Sequence, residues 1–150
     1  MPTTSEAAYT TITDEFIAGW DAGTPAIVGT VPEIRFKGLE KGAIPSGHFC
    51  RFSMLPVIEG QSSLRDGENG QRYTVQGNII IQVFAFKGSE NAAEAAEYAR
   101  RLAIVARNIF RGHCFAGGIQ FRNVRVQDAN EEPKYIRRNV IAEYEYDEIG

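Results

Sequence analysis

Tyr9, Ile12, Phe16 and Trp20 recur at spacings of three and four, which predicts an amphipathic helix with four large side chains on one stripe. Thr3 and Glu6 stand at capping-box spacing ahead of it. Gly23, Thr24 and Pro25 end it, because proline cannot continue the hydrogen-bond ladder. From Ala26 to Ser46 the period fades. Ile27, Val28, Ile34 and Phe36 suggest short extended pieces, but Pro32, Gly38, Gly42, Pro45 and Gly47 punctuate them, so the segment reads mainly as loop.

Strict alternation then takes over. Phe49 to Leu55 sets Cys50, Phe52 and Met54 against Arg51 and Ser53, the mark of a half-buried strand, and Pro56 is expected at its end or on an edge. Val57 to Leu64 reads as a second extended segment, and Arg65 to Gln71 as a glycine-rich hairpin tip. In the next strand Tyr73, Val75, Ile79, Ile81 and Val83 share a face, while Thr74, Gln76, Asn78 and Gln82 line the other. Ile80, Phe84 and Phe86 make its far end apolar on both sides, which predicts helices on one face and another subunit on the other.

Ser89 is placed to cap a second helix with Ala95, Tyr98, Ala99, Leu102, Val105, Ala106, Ile109 and Phe110 on one face. Glu90, Glu94 and Glu97 lie early in it, Arg107 and Arg111 late, Glu97 and Arg101 at ion-pair spacing, and Gly112 beyond its end. In the strand that follows, Ile119 and Phe121 have opposite parity to Val124 and Val126, so a bulge is expected near Arg122 or Asn123. Asp128 to Pro133 reads as a polar turn. Tyr135 to Asp147 returns with Ile136, Val140, Ala142, Tyr144 and Tyr146 in register. Helices grouped on one face of a mainly antiparallel sheet define an α+β domain.

Length and charge narrow the partners. At 150 residues one domain, spanning residues 1–150, can bury roughly 68–70% of the surface that the unfolded chain exposes. Sixteen Lys and Arg against 19 Asp and Glu leave a net charge of −3, the wrong sign for stable binding to nucleic acid. No apolar run approaches a membrane span, and no export signal is evident, so a cytoplasmic protein with reduced thiols is expected.

Three segments carry a family likeness: Ser5 to Asp21 (S-E-A-A-Y-T-T-I-T-D-E-F-I-A-G-W-D), Gly117 to Val126 (G-G-I-Q-F-R-N-V-R-V) and Asn139 to Glu148 (N-V-I-A-E-Y-E-Y-D-E). Together they resemble the tail terminator family of long-tailed bacteriophages. The resemblance implies a sheet covered by two helices on one face, and a structural virion protein, not an enzyme. It implies a homo-oligomeric ring, a hexamer, that caps the last ring of the major tail tube protein at the head-proximal end, stops polymerisation and presents a surface to the head-tail connector protein. DNA would pass through the lumen without stable binding, and assembly would take place in the cytoplasm of the host bacterium. The alternatives are another phage neck or tail-tube ring protein, or a small-molecule binding domain.

Candidate chemistry is sparse. No G-x-S-x-G elbow, P-loop or dinucleotide fingerprint occurs, and the acidic pairs Asp14/Glu15 and Glu131/Glu132 read as solvated neighbours. His48 with Cys50 and His113 with Cys114 have poor zinc spacing, so buried thiols, solvent-facing imidazoles and no metal or other cofactor are expected. Interaction surfaces are the stronger candidates. The segment Gln61, Ser62, Ser63, Leu64, Arg65, Asp66, Glu68, Asn69, Gln71 and Arg72 is polar and too long for a minimal turn, which suits a loop that reaches the tube. Ile80, Phe84, Phe86, Arg137, Arg138, Glu143 and Glu145 are the candidate subunit interface. The doublets Arg100/Arg101 and Arg137/Arg138 read as solvent-facing charges or as subunit contacts, in which they would meet Glu143, Glu145, Asp147 and Glu148 of a neighbour.

Overall fold

The computed structural model describes residues 4–36, 47–61, 72–87, 92–129 and 134–149. Thr3, Ser89, Glu90 and the segments 37–46, 62–71 and 130–133 lie outside the described residues, and with them two predicted helix caps, the hairpin tip and the polar turn.

The first helix, α1 (Ser5–Gly23), is capped by Thr4, whose hydroxyl accepts from the Ala7 N–H at 3.1 Å. Its inward stripe is Ala8, Ile12, Phe16 and Trp20. Tyr9, expected inside, is 44% exposed; with every later contact four residues apart, the stripe begins at Ala8, and Tyr9 falls to its flank. Thr24 ends the helix by donating its hydroxyl to the Trp20 carbonyl at 2.8 Å. Pro25 then opens a one-turn helix, α2 (Pro25–Val28), where its missing N–H is no loss, so Ile27 and Val28 are helical rather than extended.

A short strand, β1 (Glu33–Phe36), does emerge from the predicted loop. It runs parallel to the start of β2 (Phe49–Gln61), with Ile34 opposite Cys50. The Trp20 indole N–H donates to the Pro32 carbonyl at 3.0 Å and ties the end of α1 to this edge. Pro56 does not end β2. Among the described residues it lies past the β1 pairing, on the expected edge and beside a register shift between Pro56 and Ile58, and the strand runs on to Gln61, joining parts of the two segments that the sequence separates.

β2 pairs antiparallel with β3 (Arg72–Phe86), and β3 with β6 (Tyr135–Ile149). Beyond β6 lies β5 (Ile119–Asp128), edged by the two-residue β4 (Cys114–Phe115), which the sequence reading missed. The order across the sheet is β1-β2-β3-β6-β5-β4. The expected bulge lies between Arg122 and Arg125, where Asn123 takes a φ of 51°. It moves Val124 and Val126 to the face already occupied by Phe121.

The long helix α3 (Ala92–Phe110) packs beside α1 on one face of this sheet. Ala95, Ala99, Leu102, Ala106 and Phe110 are buried along it, with Ala103. Phe16 joins the layers, its ring 5.0 Å from that of Phe52 and 6.2 Å from that of Phe110. The chain is thus an α+β domain with a mainly antiparallel sheet and both long helices on one face, as the pattern predicts.

Candidate assembly surface

The sheet face turned away from the helices is formed by the alternate positions of the same strands. Along β6 these are Tyr135, Arg137, Asn139, Ile141, Glu143, Glu145 and Asp147, opposite Phe86, Phe84, Gln82, Ile80, Asn78, Gln76 and Thr74 of β3. Among the described residues no helix packs on this face. It grades from aromatic at one end, through Ile80 and Ile141 at its centre, to carboxylates at the other.

At the aromatic end Phe49 and Phe84 stack 4.5 Å apart, Tyr135 stands at 90° to Phe49, and Phe86 packs 5.7 Å from Tyr135. This cluster buries much of what the sequence assigns to a neighbour. Phe84 is only 6% exposed, since the antiparallel register of β2 and β3 sets Phe49 directly opposite it. The Arg137 guanidinium sits 5.9 Å over its ring. Ile80 and Phe86 stay half-buried.

The basic doublets divide. Arg137 lies on the bare face, whereas Arg138 takes the helix-side parity opposite Val83 and donates to Asp128 at 2.6 Å. Both members of the other doublet hold Glu97 on their own helix, with Arg101 Nε at 3.0 Å. Hydrogen bonds from Arg100 and Arg101 hold the Glu97 carboxyl down to about 2. Consecutive strand residues point to opposite faces, so Arg137 and Arg138 do not share one patch.

The carboxylate end is cross-linked within the chain. Glu145 accepts from Gln76 at 3.0 Å and from Arg122, Glu143 from Asn123 at 2.8 Å and Arg125 at 3.4 Å, and Asp147 from Thr74 at 2.9 Å. The bulge at Asn123 makes this arrangement, since it turns Arg122 and Arg125 to the same side of β5. Beside these pairs a groove of about 270 Å³ crosses the strands, walled by Val57, Gln76, Gly77 and Asn78 and by Arg122 and Glu143 to Glu145. Val57 in its wall is 61% exposed, and Leu55, opposite Asn78 on β2, is 37% exposed. Its described lining contains no His, Cys, Ser or Thr, and its charged groups are already engaged within the chain, Arg122 with Glu145 and Glu143 with Arg125 and Asn123 just outside it.

Of the tube-facing segment, Gln61 and Arg72 are the last residue of β2 and the first of β3; Ser62, Ser63, Leu64, Arg65, Asp66, Glu68, Asn69 and Gln71 lie outside the described residues. The His and Cys clusters do not meet. His48 and Cys50 belong to the β2 end of the sheet and His113 and Cys114 to β4, with β3, β6 and β5 between them. Cys50 is buried, which pushes its thiol well above the ordinary range, but Cys114 is exposed, because β4 is too short to be covered. His48, expected to face solvent, is half-buried, its ring edge-on to Tyr98 with 5.3 Å between centroids.

No protein-family model and no curated protein matches this chain. A solved structure does, over 91% of this chain and 94% of that one, with 12% identity and a TM-score of 0.60. At that identity the likeness establishes the fold alone.

Proposed function

We propose that this chain is a tail terminator of a long-tailed bacteriophage, a structural virion protein that assembles as a homohexameric ring on the head-proximal end of the tail tube. The resemblance of α1, β5 and β6 to that family motivates the reading. The observation that carries it furthest is the bare sheet face, where Ile80 and Ile141 lie between an aromatic cluster and a band of ion pairs. An apolar centre with a polar rim suits a protein interface, and the internally paired groove suits contact better than chemistry.

In this reading the ring stops the tube by occupying its growing end, and its other surface receives the head-tail connector. Six subunits at −3 each give about −18, and carboxylates turned to the lumen would repel DNA in transit. The hairpin between β2 and β3 reaches the terminal ring of the major tail tube protein.

Replacing Arg65 to Gln71 by Asn-Gly tests this, since that dipeptide closes a tight hairpin without disturbing the strands. Complementation with the shortened chain should give overlong tails. Tails of normal length would remove the hairpin from the tube contact. Negative-stain microscopy of the intact protein with tube protein should show capped tubes of defined length; polymers of this chain itself would favour a tube-forming protein.

A further inference from the structure

We propose that His48 is a proton-operated strap: only its neutral ring holds the end of β3 to the start of β2, and protonation of Nδ1 opens that corner of the sheet. The geometry is specific. Phe49 opposite Phe84 is the last pair of backbones between β2 and β3, yet β3 continues to Phe86. There the Phe86 N–H donates to His48 Nδ1 at 3.0 Å, a side-chain nitrogen doing what a strand carbonyl does elsewhere in the ladder. A ring nitrogen accepts only when it carries no proton, so the bond requires the tautomer with hydrogen on Nε2. Protonation sets one N–H against another and removes the bond.

The surroundings favour the neutral ring. His48 lies against Tyr98 of α3, whose hydroxyl donates to Glu94 at 2.7 Å. Burial lowers the His48 pKa below the ordinary 6.5, and the opposing pull of the Glu94 carboxylate is the smaller effect. Glu94 and Tyr98 face the ring from the helix; Lys87 follows Phe86, and its N–H donates to the Lys134 carbonyl at 2.9 Å, closing the corner towards β6. Above pH 6.5 the folded and unfolded chains are both neutral at this position, and the strap holds. As pH falls below 6.5 the unfolded chain takes the proton first, stability declines, and the loss levels off once pH is under the folded value.

The strap also governs a surface. Phe86 belongs to the aromatic cluster on the bare face, 5.7 Å from Tyr135, so releasing its backbone loosens that end of the candidate interface. This consequence rests on the proposed function; the strap itself does not.

A proton and nitrogen NMR titration of the whole chain tests it. The Phe86 amide should lose about five- to tenfold of its exchange protection, beyond the intrinsic pH dependence, with the midpoint at which the His48 ring titrates, below 6.5. The exposed His113 is the internal control and should leave Phe86 untouched. His48→Asn, whose amide oxygen can stand near the Nδ1 position, should keep Phe86 protected across the range. His48→Phe, which retains the ring contact without an acceptor, should leave it unprotected at every pH. A Phe86 amide that ignores the His48 titration in the unaltered chain, or the same pH response in His48→Asn, would overturn the proposal.

Discussion

Single residues show how far local pattern reaches. Cys50 and Cys114 have the same chemistry, but the structure buries one under α1 and α3 and leaves the other on a two-residue edge strand. One thiol per native chain should therefore react with a disulfide reagent, at Cys114, and the second only after denaturation. Two fast thiols in the native protein would contradict the burial of Cys50. Asn123 was legible as a bulge position from the parity of Ile119 and Phe121 against Val124 and Val126, although its φ of 51° was not. Asn123→Val should destabilise the chain by about 1–2 kcal/mol in urea unfolding, because a β-branched side chain fits the left-handed region poorly. Asn123→Gly should cost less, losing only the hydrogen bond to Glu143.

Between elements, close approach replaces periodicity as the deciding factor. A Cβ on Gly19 would stand 2.6 Å from Ile109 Cγ1, and one on Gly23 2.8 Å from Val105 Cγ1. These glycines let α1 and α3 lie side by side. Gly77 is more demanding: its added Cβ would meet the Leu55 carbonyl oxygen at 2.4 Å and the Tyr144 hydroxyl at 2.5 Å. The register shift at Pro56 brings that carbonyl in, and the Tyr144 ring covers the bare backbone of its cross-strand partner. Gly77→Ala should cost about 1–3 kcal/mol, read as a fall in the urea midpoint with little change in slope. Gly19→Ala should cost less, since an isoleucine side chain can turn aside and alanine favours the helix by about 1 kcal/mol over glycine.

For the whole molecule, a sheet with one face covered by helices and the other bare among the described residues sets the expectation of assembly. Ile80→Lys places a charge beside Ile141 at the centre of the bare face and leaves the helix-side core intact. The folded monomer should lose less than about 1 kcal/mol, while the ring proposed above, read by light scattering over a concentration series with tube protein, should be lost. Unchanged rings in Ile80→Lys would move the interface away from this face.

Local pattern alone carries the α+β class, both long helices, the inward face of β3, β5, β6 and the Phe49 to Leu55 part of β2, and the bulge in β5. Each of these depends on periods of two or 3.6 residues and on turn chemistry, which are properties of the local chain. Tertiary structure alone decided the rest. It placed β1 parallel to β2, turned Tyr9 outward and drew Phe84 into a cluster with Phe49 and Tyr135. It also carried β2 past Pro56 and set the His48 ring on an N–H 38 residues away. Such contacts follow from which strands become neighbours, and the free energy of closing those long loops is recovered only when the whole sheet packs against its helices.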